Sequence, residues 1–101
     1  MNILLVCSAG MSTAIVLKAL EREAAKAGRA VTVRAVAAGE LAETVKSGWD
    51  IVLVAPQVRH RLAEFEAAAA EAGVPVALIP PQGYSPLGGA VVLKEIDRIL
   101  G

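Results

Sequence analysis

A chain of 101 residues with ten basic and ten acidic side chains has no net charge to draw it to nucleic acid or to an anionic membrane. Its apolar content is 55% but its aromatic content only 3%, so one modest aliphatic core is expected, in a single domain over residues 1–101. The apolar runs are too short to span a bilayer, no basic n-region precedes a cleavage site, and one cysteine excludes an internal disulfide, which together suggest a reducing cytoplasm.

The elements alternate along the chain. Asn2 to Cys7 reads as a short apolar strand, Ile3-Leu4-Leu5-Val6, with turn-forming residues behind it. Met11 to Ala27 places Ile15, Leu20, Ala24 and Ala27 near helical spacing, and Gly28 suits the helix end. Val31 to Val36 alternates as a strand with one face more exposed. Glu40 to Lys46 is a short helix stopped at Gly48. Asp50 to Ala55 carries Ile51-Val52-Leu53-Val54, the pattern of a strand buried on both faces. Arg59 to Ala72 is an alanine-rich helix with Glu64, Glu66 and Glu71 on its polar side, ended by Gly73. Val74 to Ile79 reads as another buried strand, with Pro75 near its start, where a missing N–H is tolerated. Pro80 to Gly89 is loop, and Val91 to Leu100 is the last helix.

Four β-α units in succession predict an α/β fold: three layers, with a four-stranded parallel sheet and helices on both faces. Ligands of such sheets bind beyond the carboxyl ends of the strands. The residues to inspect are therefore the stretch after Cys7, Ala37-Ala38-Gly39, Pro56-Gln57-Val58-Arg59 and the loop from Pro80 to Gly89.

Taken alone, a cysteine at a buried strand end is a small inert hydrophobe. Its neighbours change that reading. Ser8-Ala9-Gly10-Met11-Ser12-Thr13-Ala14 are small, hydroxylated or glycine residues leading into a helix. Unpaired amides in such a loop suit an oxyanion, and the same field favours thiolate over thiol. The loop lacks the Gly-Lys-Ser/Thr ending of nucleotide phosphate loops and the G-x-G-x-x-G dinucleotide pattern. It has the spacing of a cysteine phosphate loop and resembles that of the low-molecular-weight tyrosine phosphatases, whose topology the whole pattern also resembles. Thr13 stands where those enzymes have arginine, and Ala14 where they have serine. Loss of the arginine's bidentate donors disfavours rapid hydrolysis of phosphate esters and leaves a loop suited to carrying a phosphoryl group.

The stretch Cys7-Ser8-Ala9-Gly10-Met11-Ser12-Thr13 more closely resembles the enzyme IIB components of the lactose/cellobiose (chitobiose) class of bacterial sugar phosphotransferase systems. Ala55-Pro56-Gln57-Val58 is similar to that family's Gly-Pro-Gln-Val/Ile turn. Tyr84 followed by Gly89 is similar to its Tyr-x-x-x-Asp-Gly segment, with Gly88 in place of the aspartate. The resemblance implies a phosphocarrier. Cys7 would accept a phosphoryl group from a phosphohistidine of a IIA protein and pass it to a sugar held by the membrane IIC permease. The amides of Ser8, Ala9, Gly10, Met11, Ser12, Thr13 and Ala14 would bind the phosphate, and no cofactor, metal, nucleic acid or membrane insertion is implied. Gln57, Arg59 and Tyr84 are candidate contacts. Arg59, His60 and Arg61 form a basic cluster for which a solvated first helical turn is the simpler reading, against phosphate steering or IIA docking. His60 has no carboxylate motif to make it a catalytic acid. Trp49 reads as a core plug at the end of the sheet away from Cys7. The rival functions are a cysteine phosphatase or arsenate-reductase-like enzyme, and a non-catalytic scaffold or sensor.

Overall fold

The apolar runs become strands because each buries side chains in alternation on two sides. In the computed structural model Ile3 and Leu5 point into one hydrophobic cluster, and Leu4 and Val6 into another. Ile51 and Leu53 join the first of these, Val52 and Val54 the second, so the two inner strands are covered on both faces as expected. The structure describes residues 1–7, 13–79 and 89–100, and within them all side chains except those of residues 13–16, 38 and 57.

In chain order the elements are β1 (Asn2–Cys7), α1 (Thr13–Lys26), β2 (Thr32–Ala37), α2 (Leu41–Thr44), β3 (Ile51–Val54), α3 (Leu62–Glu71), β4 (Val76–Leu78) and α4 (Gly89–Leu100). The four strands form one parallel sheet in the order β2-β1-β3-β4. Helices α1 and α4 pack together on one face around Leu20, Val92 and Ile96. The other face carries α2 and α3, through Leu41, Phe65 and Ala69. The expected three-layer arrangement is thus present.

Two helix ends follow their glycines closely. After α1, Gly28 has φ +71°; its N–H donates to Ala25 and that of Arg29 to Ala24. After α3, Gly73 has φ +70°; its N–H donates to Ala70 and that of Val74 to Ala69. These paired reverse bonds satisfy carbonyls that the helix leaves open, and they require the left-handed residue that glycine supplies without a Cβ penalty.

Four details differ from the sequence reading. The α2 segment is a single α-turn between two 3-10 turns, Ala38–Glu40 and Val45–Ser47, rather than a continuous helix from Glu40 to Lys46. The third helix begins at Leu62, not Arg59: residues Pro56–Arg61 form a 3-10 turn, broken at Val58 (φ −116°, ψ 18°) because that side chain is buried. The last strand is an edge strand with Leu78 exposed, although backbone bonds to β3 run from the Pro75 carbonyl to the Ile79 N–H. Gly89, assigned to the loop, is already the first residue of α4. Trp49 sits half-buried before β3 and donates from Nε1 to the Thr44 carbonyl at 2.8 Å, as a plug at the amino-terminal edge of the sheet.

Candidate functional site

The strand order decides where a site can form. From β1 the chain moves outward to β2, then crosses back over β1 to β3. The chain leaving β1 enters the α1 layer, and the chain leaving β3 enters the α3 layer. Adjacent strands whose connections diverge to opposite faces open a crevice at their carboxyl ends, the switch point where parallel α/β sheets bind ligands. Cys7 is the last residue of β1 and Pro56–Arg61 follows β3, so both lie at that crevice.

Cys7 is tightly held. Its strand is bonded on both sides: Cys7 is in register with Ala37 of β2, and the Ala55 N–H donates to the Val6 carbonyl at 2.9 Å. The side chain is only 3% exposed and shares a buried cluster with Val6, Val36, Ala55 and Val58. Its Sγ lies 3.8 Å from the Val36 carbonyl, as a weak sulfur donor. The sulfur therefore rests beneath the surface. Val58 also explains the Pro56–Arg61 turn: one buried valine ties the turn to the cluster around Cys7 and leaves Arg59 and His60 exposed.

The basic cluster is divided by this turn. Arg61 donates from Nε and Nη2 to Glu64 Oε2 at 3.2 and 2.9 Å and lies 5.6 Å from the Phe65 ring centre. The hydrogen bond and charge of Arg61 hold the Glu64 carboxyl below its ordinary value, with a smaller contribution from His60. Arg59 and His60 are exposed, and neither belongs to any of the four ion pairs among the described residues. On the other flank of Cys7, Glu40 Oε1 accepts the Ala37 N–H at 3.3 Å. The sequence reading took Glu40 only as the start of a helix. Its position at the end of β2 depends on sheet register, which no local pattern reveals.

Ser8, Ala9, Gly10, Met11, Ser12, Tyr84 and Gly88 lie outside the described residues, as do the side chains of Thr13, Ala14 and Gln57. Thr13 and Ala14 open α1, and Gln57 is the second residue of the Pro56–Arg61 turn. The structure thus brings Cys7, Gln57 and Arg59 to one edge of the sheet. Among the described residues no helix is long and apolar enough to cross a membrane.

Residues 2–95 match the family described as PTS system, Lactose/Cellobiose specific IIB subunit. The chain is 31% identical to the PTS system galactose-specific EIIB component of Lactococcus lactis subsp. cremoris, over 97% of this chain and 94% of that protein. Identity and coverage are the same for the cellobiose-specific EIIB component of Lactococcus lactis subsp. lactis. The solution structure of the cellobiose-specific IIB component from Borrelia burgdorferi is 36% identical and superposes with a TM-score of 0.75, covering 97% of this chain and 89% of that one. The lactose-specific IIB domain from Streptococcus pneumoniae shares the fold, with a TM-score of 0.78 at 22% identity over 94% and 96% of the two chains. With a sulfur at the switch point of a parallel sheet and a family match over nearly its whole length, the chain belongs to the lactose/cellobiose-specific IIB subunits of the sugar phosphotransferase system and serves phosphoryl transfer in sugar uptake.

Proposed function

We propose that Cys7 is the atom-level station in that transfer. In the first step the thiolate attacks phosphorus of a phosphohistidine on a IIA protein; the P–N bond breaks, the S–P bond forms, and the imidazole leaves and regains its proton. In the second step a hydroxyl of a sugar held by the IIC permease attacks the phosphocysteine. The S–P bond breaks, the P–O bond forms, and the hydroxyl proton leaves. The amides of Ser8 to Ala14 cradle the phosphoryl oxygens between the two steps, with Gln57 and Tyr84 bordering them. The chemistry runs in the cytoplasm, on transient complexes at the small end of interface sizes. Galactose, cellobiose and lactose are named for the relatives, and the sugar class here is drawn from that set.

The observation that carries this reading is the place of Cys7, the chain's only cysteine, at the carboxyl end of an inner strand in a chain of this family. A phosphatase reading is less well supported, because Thr13 occupies the position at which the transition-state arginine would stand. Incubation with phosphoenolpyruvate, the general phosphotransferase proteins and a IIA protein of proven competence is expected to add one phosphoryl mass to the intact chain and none to Cys7→Ser. No gain by the wild-type chain, or an equal gain by Cys7→Ser, overturns the assignment. Turnover of an aryl phosphate by the unpartnered chain would point to the phosphatase instead.

A further inference from the structure

The two flanks of the Cys7 strand end carry opposite charge. On the β2 side, the exposed Glu40 is held by its bond to the Ala37 N–H, in register with Cys7. On the β3 side, the exposed Arg59 and His60 stand on the turn that Val58 fastens to the Cys7 cluster. Arg61, the third basic residue, is already engaged by Glu64 and Phe65. Arg59 is therefore a committed cation of this edge with no ionic partner among the described residues. It also precedes α3, whose amino-terminal end disfavours positive charge, so nothing in the helix accounts for it.

We infer that Arg59, with His60 beside it, is the electrostatic docking point for the phosphoryl-donor protein, whose phosphohistidine is anionic. The inference rests on Cys7 being the phosphoryl acceptor. The donor's phosphorylated face is anionic by virtue of the phosphoryl group itself. The cation on one flank of the sulfur attracts the donor's anionic phosphoryl group and the anion on the other repels it, so the donor approaches from the side of the Pro56–Arg61 turn. Charges at an interface rim act on encounter more than on the bound state, so Arg59 governs how often the donor arrives and not how fast phosphorus moves once it has arrived.

The test is the rate of phosphoryl transfer from a phosphorylated IIA protein to the full chain, followed by quenched-flow intact mass over a series of donor concentrations. At about 0.01 M salt, where the Debye length is about 30 Å, Arg59→Glu is expected to lower the second-order rate constant about 3- to 10-fold. The rate at saturating donor is expected to stay unchanged. Glu40→Gln should shift the low-salt constant the opposite way, and Arg98→Gln, on the outer face of α4, should leave it unchanged. All variants are expected to converge with the wild type at about 1 M salt, where the Debye length is about 3 Å. An unchanged low-salt constant in Arg59→Glu overturns the docking assignment while leaving Cys7 as acceptor. A loss confined to the saturating rate overturns it in favour of a contact with the phosphoryl group. A loss that persists at high salt assigns the effect to structure rather than to charge, and also overturns it. Absence of any transfer to the wild-type chain overturns both readings together.

Discussion

Replacing Gly89 by alanine sets two effects of opposite sign against each other. Alanine within a helix is favoured over glycine by about 1 kcal/mol, because glycine loses more backbone freedom on folding. That gain is reduced at position 89, the first residue of α4. Against it stands the packing of α4 on α1. A Cβ at Gly89 would lie 2.3 Å from the Ala19 carbonyl oxygen, 2.7 Å from its carbon and 2.8 Å from Cγ of Glu23. Carbon and carbonyl oxygen normally approach no closer than about 3.3 Å, so the start of α4 must retreat by about 1 Å. The nearest atoms belong to the α1 backbone and cannot swing aside, and retreat loosens the contacts of Leu20 with Val92 and Ile96. Overpacking of this kind costs about 1–3 kcal/mol and outweighs the propensity gain. The expected result is a net loss of about 1–2 kcal/mol in urea denaturation followed by circular dichroism, with an unchanged m-value, and a melting temperature lower by about 4–16 °C. Gly39→Ala is the control: a Cβ there meets nothing within 4 Å, and the change is expected within about 0.5 kcal/mol of neutral. A Gly89→Ala protein as stable as the wild type would refute the close approach of α1 and α4.

Three further outcomes are expected. Leu53→Ala removes a 1%-exposed side chain from an inner strand and should cost about 2–5 kcal/mol by denaturant titration, with the low end marking collapse of the cavity. Trp49→Phe keeps most of the plug but deletes the 2.8 Å Nε1–H bond to the Thr44 carbonyl, a loss of about 0.5–1.5 kcal/mol in the same assay. The Glu64 carboxyl should titrate below the ordinary glutamate value of 4.5 in a carboxyl-resolved NMR titration, and Arg61→Gln should return it upward. Because the folded value is the lower one, whatever stabilisation the pair provides is present above the unfolded glutamate pKa and is lost as pH falls through the lowered one.

The strands and helix ends were readable because their causes are local. Ile51 to Val54 declare a doubly buried strand by an unbroken β-branched and leucine run, and Gly28 and Gly73 mark helix ends by the one conformation that only glycine adopts freely. The onset of α3 was not readable. Arg59 and His60 continue a helical-looking sequence, yet the burial of Val58 against the Cys7 cluster holds them in a 3-10 turn. That burial is a tertiary contact between the end of β3 and the end of β1. Val74 to Ile79 likewise looks like an inner strand, and its edge position follows from strand order, which repeated β-α alternation leaves undetermined. At the site, the motif named Cys7 and the turn after β3, while the opposed charges of Glu40 and Arg59 emerge only when the parallel register sets Ala37 beside Cys7.

The sheet also separates the interior into two hydrophobic clusters that, among the described residues, share no member. One, with α2 and α3, contains Cys7; the other, with α1 and α4, contains Leu20, Val92 and Ile96 and is sealed at Gly89. A homologue or an engineer can therefore rebuild the second at Leu93, Val92 or Ile99 to gain thermal endurance while the sulfur's own surroundings stay untouched. Durability and phosphoryl chemistry become separately adjustable properties of a very small protein.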